Sequence, residues 1–360
     1  MTPIYLDNAA STMVAPEVVT AMQPYLTTWY GNPSSTHSLG RQAHVAIENA
    51  RNIIAKKINA KPNEIIFTSG GTESNVLALT ASEKIMVSTA EHSSILNCVK
   101  SSNATYCPVD KNGFVDYIFL KKNIEKNLLV SIIHGNNEIG TINNIEAIGK
   151  LCRQRGALFH TDASQSFLKV PIDIQKMNID LLTLNSHKIH GPKGIGALFV
   201  RDGIRISPLF RGSQEKQLRA GTQNVPGIVG FAKAVELWKN SDNLYIKKLR
   251  DMLIKKLLSI PKTRLNGSKD RLCNNVNISF KNVLGETIVK HLDSQGVCAS
   301  TGSACTSHQI EPSHVLKAIS LPNEWALGSV RFSLSRYTTT EEINTAIALT
   351  KTIVASHRKL

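Results

Sequence analysis

The stretch LLTLNSHKIHGPKGIGALFV, residues 181–200, contains two apolar segments that are joined by a polar, glycine-containing turn. Residues 181–184 are typical of a buried strand, and the turn that follows them holds Lys188. A lysine at a strand end can simply extend its ammonium group into solvent. Alternatively, an amine that is desolvated in a cleft can act as a nucleophile and form a Schiff base. The stretch alone favours the first interpretation. The choice between a solvent-exposed and a Schiff-base lysine therefore depends on the motifs in the rest of the chain.

Similar apolar runs of β type alternate with helical patterns between about residues 60 and 200. They are residues 65–67, 85–87, 129–133, 157–159, 181–184 and 197–200. Near-continuous apolar strands separated by helices indicate a parallel sheet that is covered on both faces. The sequence therefore predicts an α/β fold with a mostly parallel central sheet in a large domain, residues 15–243.

The pattern changes from about residue 244. A basic helix is followed by a predicted strand at 275–280, a helix at 285–292, a strand at 330–333 and a C-terminal helix. This α+β pattern predicts a smaller domain, made of residues 1–14 and 244–360, which carries a glycine- and serine-rich loop at about 296–310.

The composition of the 360 residues is that of a globular protein, with 42% hydrophobic and 19% charged residues. No apolar run approaches the roughly 20 residues of a membrane span, and no signal peptide is visible at the N-terminus. The six cysteines form no CxxC pair. We therefore expect reduced thiols and a cytoplasmic location.

The net charge of +15 could mark a surface for nucleic acid or for an acidic protein. However, the basic residues are scattered along the chain. The densest basic segment, residues 245–258, also places Ile246, Leu249, Leu253 and Leu257 on one face at helical spacing. An ordinary amphipathic surface helix is therefore the favoured interpretation of that segment.

Polar groups follow five of the predicted strands. These strand ends are residues 68–74, 88–92, 134–138, 160–165 and 185–188. Because parallel sheets bind ligands outside the carboxyl ends of their strands, the five segments are expected to converge on one site.

Three of these segments carry chemistry that complements the lysine. TSGGTES (68–74) is a strand–glycine–helix junction that suits an anion, although Ser69 or Thr72 could also be an ordinary helix cap. Asp162 would be costly to bury without a cation, such as a protonated heterocyclic nitrogen, or without the N–H groups of a helix that it caps. His92 could stack on a ring or transfer protons, or it could be structural.

A Schiff-base lysine, an acid for a pyridine nitrogen and an anion site together indicate pyridoxal 5′-phosphate (PLP) as the cofactor. Lys193 in the same turn is the alternative amine. We prefer Lys188, because it follows the strand directly.

A second feature lies far along the chain, in ASTGSACTS (299–307). Its small residues would leave Cys305 accessible, as a reactive thiolate requires, although a cysteine in such a turn is more often a filler. The other cysteines have no such surroundings and are interpreted as core or incidental thiols; they are Cys98, Cys107, Cys152, Cys273 and Cys298.

With these motifs the chain resembles the NifS/IscS-type (group I) cysteine desulfurases, which are class V aminotransferases with the aspartate aminotransferase-like fold of fold-type I PLP enzymes. The motifs occur in the family's order: YLDNAAST (5–12), GNPSS (31–35), FTSGGTESN (67–75), EH (91–92), NNEIG (136–140), DASQ (162–165), HK (187–188), RAGT (219–222), SACTS (303–307) and RFS (331–333). The resemblance implies a homodimer with active sites at the subunit interface.

The resemblance also implies roles for single residues toward PLP. Lys188 would carry PLP, Asp162 would pair with the pyridine nitrogen, Gln165 would contact the phenolic oxygen and His92 would stack on the ring as an acid/base group. The phosphate would be held by Gly71, Thr72, Asn185 and His187, together with Thr222 of the other subunit.

Asn137 is expected to contact both cofactor and substrate, and Arg331 would bind the carboxylate of L-cysteine. Cys305 would attack the substrate's sulfur, which gives L-alanine and an enzyme persulfide that passes to a sulfur-acceptor protein. No metal ion is expected. Iron–sulfur cluster assembly, tRNA thiolation and DNA sulfur modification remain open as destinations.

Three departures from the family pattern accompany this resemblance. Asn185 stands where the family usually has a phosphate-binding serine, the segment between Leu79 and Ile85 is short, and a C-terminal extension that helps bind the scaffold protein is missing after Leu360. The alternatives are another PLP lyase, such as selenocysteine lyase, and a weakly catalytic sulfur-relay adaptor that docks on nucleic-acid-modifying enzymes.

Overall fold

The computed structural model describes residues 3–100, 104–301 and 311–358, and a large central sheet organises them. Its strands and those of two smaller sheets are β1 (Ile4–Tyr5), β2 (Ile65–Thr68), β3 (Ile85–Ser88), β4 (Thr105–Cys107), β5 (Leu129–Ser131), β6 (Leu158–Asp162), β7 (Leu181–Asn185), β8 (Gly196–Val200), β9 (Thr263–Leu265), β10 (Asn275–Phe280), β11 (Val297–Cys298) and β12 (Ser329–Ser333).

The helices are α1 (Pro16–Met22), α2 (Pro24–Thr27), α3 (Ser38–Lys57), α4 (Gly71–Leu79), α5 (Ser93–Val99), α6 (Tyr117–Asn123), α7 (Ile145–Arg155), α8 (Val225–Leu237), α9 (Asn240–Leu257), α10 (Gly285–Ser294), α11 (His314–Ala318), α12 (Asn323–Ala326) and α13 (Thr340–His357). Short 3-10 helices cover Pro62–Glu64, Ser186–Lys188 and Glu215–Gln217.

The central sheet has seven strands in the order β2-β8-β7-β6-β5-β3-β4. The strands from β7 to β4 are parallel, whereas β8 runs antiparallel to both of its neighbours. The mostly parallel sheet predicted from the sequence is confirmed. The exception has a simple cause, because the connection over the ten residues 186–195 is too short for a crossover to a parallel strand.

Apolar side chains cover both faces of this sheet. Leu182 and Phe199 belong to the larger cluster of buried side chains, whereas their strand neighbours Leu181 and Leu198 belong to a second cluster. Successive residues of a strand point to opposite faces, so the two clusters lie on opposite sides of the sheet. The five strand ends are therefore held at the edge of a layer that is rigid on both sides.

The two smaller sheets bring distant parts of the chain together. The antiparallel sheet β12-β10-β9 contains both strands predicted near the C-terminus, and β1 pairs with β11. In α9 the predicted apolar face is confirmed, since Ile246, Leu249, Leu253 and Leu257 are buried. Within the described residues, no helix has the length and apolar character that crossing a membrane requires.

Candidate active site

The predicted strand ends converge on one cavity with a volume of about 340 Å³. Ten of the residues singled out from the sequence line it: Gly71, Thr72, His92, Asn137, Asp162, Gln165, Asn185, His187, Lys188 and Arg331. Thr222 is exposed and lies outside this cavity, and Cys305 lies outside the described residues. The cavity therefore unites residues that are separated by up to 322 positions in sequence, from Ala9 to Arg331.

Lys188 ends the 3-10 turn that follows β7, and its amine is held by the N-terminal segment of the chain. Lys188 Nζ donates hydrogen bonds to Ala9 O at 2.7 Å and to Ala10 O at 2.6 Å. Burial lowers the pKa of Lys188 to about 8, and the positive charges of Arg331 and Lys169 act in the same direction. A substantial fraction of this amine is therefore neutral, and so nucleophilic, near neutral pH.

Lys193, the alternative amine, has different surroundings. It is exposed and lines an adjoining, more open cavity of about 430 Å³, which shares Gly71, Thr72 and His187 with the Lys188 cavity. Lys193 therefore does not share the cavity of Asp162 and His92, whereas Lys188 does.

Asp162, the last residue of β6, is buried at the cavity wall. Its Oδ1 accepts a hydrogen bond from Ser164 N at 2.8 Å, and its Oδ2 accepts one from Asn75 Nδ2 at 2.8 Å. The carboxylate thus caps the following turn, as one interpretation of the sequence expected, and it still lines the cavity.

His92 is oriented by its position at the N-cap of α5. Its Nδ1 accepts from Ser94 N at 3.2 Å and lies 2.8 Å from Ser94 Oγ. An accepting Nδ1 places the proton of the neutral ring on Nε2. Burial lowers the pKa of His92, which favours this neutral form.

Asn75 and Ser94 connect the acid to the imidazole, and the sequence analysis missed both. Asn75 Nδ2 donates to Ser94 Oγ at 2.9 Å as well as to Asp162. Both residues line the cavity, and Asn75 is buried. The result is a continuous path of hydrogen bonds from Asp162 through Asn75 and Ser94 to His92.

The junction between β2 and α4 has the geometry of an anion site. Gly70 has a φ of 155°, which side chains rarely adopt, and α4 begins at the next residue. A Cβ on Gly71 would lie 2.8 Å from Ser164 Oγ and 2.9 Å from Asn185 Nδ2, so only glycine fits there. The free N–H groups and the positive end of the α4 dipole face the cavity that Gly71 lines.

His187 and Asn185 flank this helix terminus. His187 Nδ1 lies 3.2 Å from Ser11 Oγ, and burial, followed by the charges of Lys188 and Lys193, lowers the pKa of His187 to about 4. The imidazole is therefore neutral and can serve as a hydrogen-bond donor. Asn185 is buried, and its Oδ1 has no hydrogen-bond partner among the described residues.

Arg331 on β12 forms the opposite wall of the cavity. Its guanidinium donates to Asp7 Oδ1 at 2.8 Å and to Asn137 O at 3.1 Å. The buried Nε has no partner within the described part of the chain. The main-chain N–H and carbonyl groups of Arg331 each form a hydrogen bond with the main chain of Ser300, which lies shortly before the segment 302–310. Arg331 therefore offers a cavity-lining cation with an unsatisfied donor.

Thr222 belongs to a surface segment that Glu215 anchors to β2. The buried carboxylate of Glu215 forms two hydrogen bonds with Arg51, at 2.9 and 3.0 Å, and accepts a third from Phe67 N at 2.8 Å.

Among the residues that the structure describes, no cluster of three or more His, Cys, Asp or Glu side chains could hold a metal ion.

The comparisons with known proteins agree with this geometry. The aminotransferase class-V family matches residues 4–345. The chain is 45% identical to the cysteine desulfurase IscS of Dictyoglomus turgidum, in an alignment that covers 99% of this chain and 96% of that protein.

Two solved structures are similar to this chain over nearly its whole length. A NifS-like protein superposes with a TM-score of 0.92 at 33% identity, covering 99% of this chain and 100% of that one. The structure of SspA in complex with cysteine superposes with a TM-score of 0.84 at 36% identity, covering 93% of this chain and 99% of that one.

Proposed function

We propose that this chain, which belongs to the aminotransferase class-V family and is a cysteine desulfurase of the IscS type, removes sulfur from L-cysteine in the Lys188 cavity. One observation carries the assignment to this cavity: an amine with a lowered pKa, a buried carboxylate and a neutral imidazole line the same space. The solved relative in complex with cysteine supports the choice of substrate.

The residues of the cavity fit PLP, the cofactor that this family uses. When bound, PLP supplies an electron sink for the charge that develops on the substrate. Asp162 would face the ring nitrogen, Lys188 would hold the aldehyde carbon covalently, and Gln165 and His92 would contact the ring. The cradle at Gly71 fits a phosphate beside the start of α4, and the Nδ2 group of Asn185, which lies next to Gly71, would be a hydrogen-bond donor to it.

The chain's own groups then bind the substrate and move protons. The guanidinium of Arg331, which lines the cavity and is fixed by its bond to Asp7, would bind the carboxylate of L-cysteine. Lys188 in its neutral form would accept the Cα proton. The protonated Nε2 of His92 would serve as an acid toward the substrate, because Nδ1 is occupied by Ser94.

Cys305 would complete the reaction as the sulfur acceptor within the enzyme. Its thiolate would form a bond with the substrate's sulfur while the bond between that sulfur and Cβ breaks. The electron pair of the broken bond would take a proton at Cβ, which leaves L-alanine and a persulfide on Cys305. The persulfide sulfur would then pass to an acceptor protein, and a nucleic-acid-modifying partner is one such acceptor.

The proposal includes a homodimer. Thr222 is exposed and lies on a segment that Glu215 fixes to β2, outside the Lys188 cavity of its own chain. This position supports a contact of Thr222 with the phosphate site of a second subunit.

Borohydride reduction of the PLP-loaded protein, followed by peptide mass spectrometry, tests the cofactor assignment. We expect the reduced adduct on Lys188 and an unmodified Lys193. An adduct on Lys193, or a protein that does not retain PLP, would contradict the proposal.

The sulfur step is tested by incubating the protein with L-cysteine and measuring L-alanine and the protein persulfide. Cys305→Ala should abolish the persulfide, whereas Cys98→Ala, which changes an exposed thiol, should leave it unchanged. A persulfide that survives in Cys305→Ala would assign the sulfur step to another residue.

A further inference from the structure

Lys169 is a buried lysine that the mechanism above does not use. It follows Leu168, which has a positive φ of 66°, in the segment between β6 and β7, and only 9% of its surface is exposed. Buried lysines normally pair with a carboxylate, because an isolated buried charge is unfavourable. Among the described residues, however, no carboxylate lies within ion-pair distance of Lys169.

The Lys169 ammonium has two other contacts. Its Nζ donates a hydrogen bond to Lys188 O at 3.1 Å, and it lies 5.4 Å from the ring centroid of Trp238. A cation over an indole ring is attracted by the ring's quadrupole. Trp238 is itself fixed, since its Nε1 donates to Asn243 Oδ1 at 3.3 Å. Lys169 is therefore held in place behind the turn that carries Lys188.

The contact with the main chain of Lys188 has a direct consequence for that residue. The carbonyl of Lys188 ends a 3-10 turn, where a cation interacts favourably with the exposed carbonyl dipole. On the opposite side, the Lys188 amine is tied to Ala9 O and Ala10 O. The main chain and the side chain of Lys188 are thus each held by a separate contact.

We propose that Lys169 is a positioning residue for Lys188: its ammonium group fixes the main chain of Lys188 and places a positive charge behind the turn that carries this residue. This inference rests on the proposed function of Lys188 as the cofactor lysine. Lys169 itself does not line the Lys188 cavity and touches no reacting atom.

The charges around both lysines agree with this role. After burial, the charges of Arg331 and Lys169 lower the pKa of Lys188, while Asp7 and Asp162 raise it. Burial lowers the pKa of Lys169 to about 8, and the Cys273 thiol is the group that opposes this shift. Lys169 also contributes, after larger effects, to the lowered pKa values of His187 and His190.

The test measures the titration of Lys188 in protein freed of PLP, so it does not depend on enzyme activity. A small amine-reactive acylating reagent is applied over a pH series, and labelling of each lysine is followed by peptide mass spectrometry. In Lys169→Met we expect the pH midpoint for Lys188 to rise and its labelling rate at about pH 7 to fall by about threefold or more, because a nearby like charge disfavours the ammonium.

Two variants separate this effect from a general loss of structure. Lys169→Arg keeps the charge, so it should restore the midpoint of Lys188 to near the wild-type value. Lys176→Met removes an exposed lysine and should leave that midpoint unchanged. An unchanged midpoint in Lys169→Met, or the same upward shift in Lys169→Arg, would overturn the proposal.

If borohydride reduction shows no adduct on Lys188, the proposed function fails, but the labelling curves still report whether Lys169 tunes Lys188.

Discussion

The side-chain amide of Asn75 lies 2.8 Å from Asp162 Oδ2 and donates a hydrogen bond to it. The same nitrogen donates to Ser94 Oγ, which contacts His92 Nδ1. One buried amide thus aligns both the acid and the imidazole of the cavity. Its position on the first turns of α4 also ties them to the predicted phosphate site.

We therefore predict that Asn75→Ala weakens catalysis without unfolding the protein. A hydrogen bond to a charged group contributes about 1.5–3 kcal/mol, which corresponds to roughly a tenfold to hundredfold loss of kcat/KM for L-cysteine. Steady-state alanine formation measures this loss of kcat/KM. Asn123→Ala, which removes an exposed amide bonded to Phe119 O, is the matched control and should retain full activity. Full activity in Asn75→Ala would show that the amide does not align these groups.

Covalent uptake of PLP by the cofactor-free protein should depend on pH through Lys188. The pKa of Lys188 is lowered to about 8, first by burial. Only the neutral amine attacks an aldehyde, so the uptake rate should fall about tenfold for each pH unit below about 8 and level off above it. Stopped-flow absorbance follows the uptake. Lys193→Ala should show the same curve, and a rate that is constant from about pH 6 to 8 would contradict the assignment.

Substituting Arg331 should separate substrate binding from turnover. Arg331→Lys keeps a positive charge, but a single ammonium group cannot reproduce the bonds to Asp7 and Asn137 and also bind a carboxylate. We expect KM for L-cysteine to rise by about tenfold or more, with a smaller change in kcat. Arg264→Lys, on the edge strand β9 of the same sheet, should change neither constant. An unaltered KM in Arg331→Lys would remove Arg331 from the substrate site.

Arg51 allows a comparison of buried and exposed ion pairs on one guanidinium. It contacts the buried Glu215 and, at 3.0 Å, the partly exposed Glu48. Glu215→Ala would leave a buried charge uncompensated and should lower the free energy of unfolding by about 3–5 kcal/mol. Glu48→Ala should lower it by less than about 1 kcal/mol. Denaturant unfolding measures both, and equal losses would mean that burial does not determine the strength of this pair.

The site residues whose side chains carry recognisable chemistry could be predicted from the sequence. Lys188, Asp162 and His92 each follow a recognisable apolar strand, and the parallel arrangement of strand ends brings them together. The antiparallel direction of β8 could also have been predicted, because the ten residues 186–195 are too few for a crossover to a parallel strand.

Other parts leave little trace in the sequence. Ala9 and Ala10 act on Lys188 through main-chain carbonyls, which every residue possesses. Ser94 and Asn75 acquire their roles only when α4 and α5 pack beside each other. The edge strand β4 was missed because it has three residues, two of which are exposed. Lys169, a lone cation in the apolar run SFLKV (166–170), was a usable signal that went unnoticed.

The antiparallel strand β8 also bears on the order in which the protein folds. Its pairing with β7 closes a loop of ten residues, whereas its pairing with β2 joins segments about 130 positions apart. Since short loops lose the least chain entropy on closure, the hairpin that presents Lys188 is expected to form early. The cavity walls that the N-terminal segment and β12 supply are then expected to form later. Lys188 is therefore enclosed only at a later stage of folding.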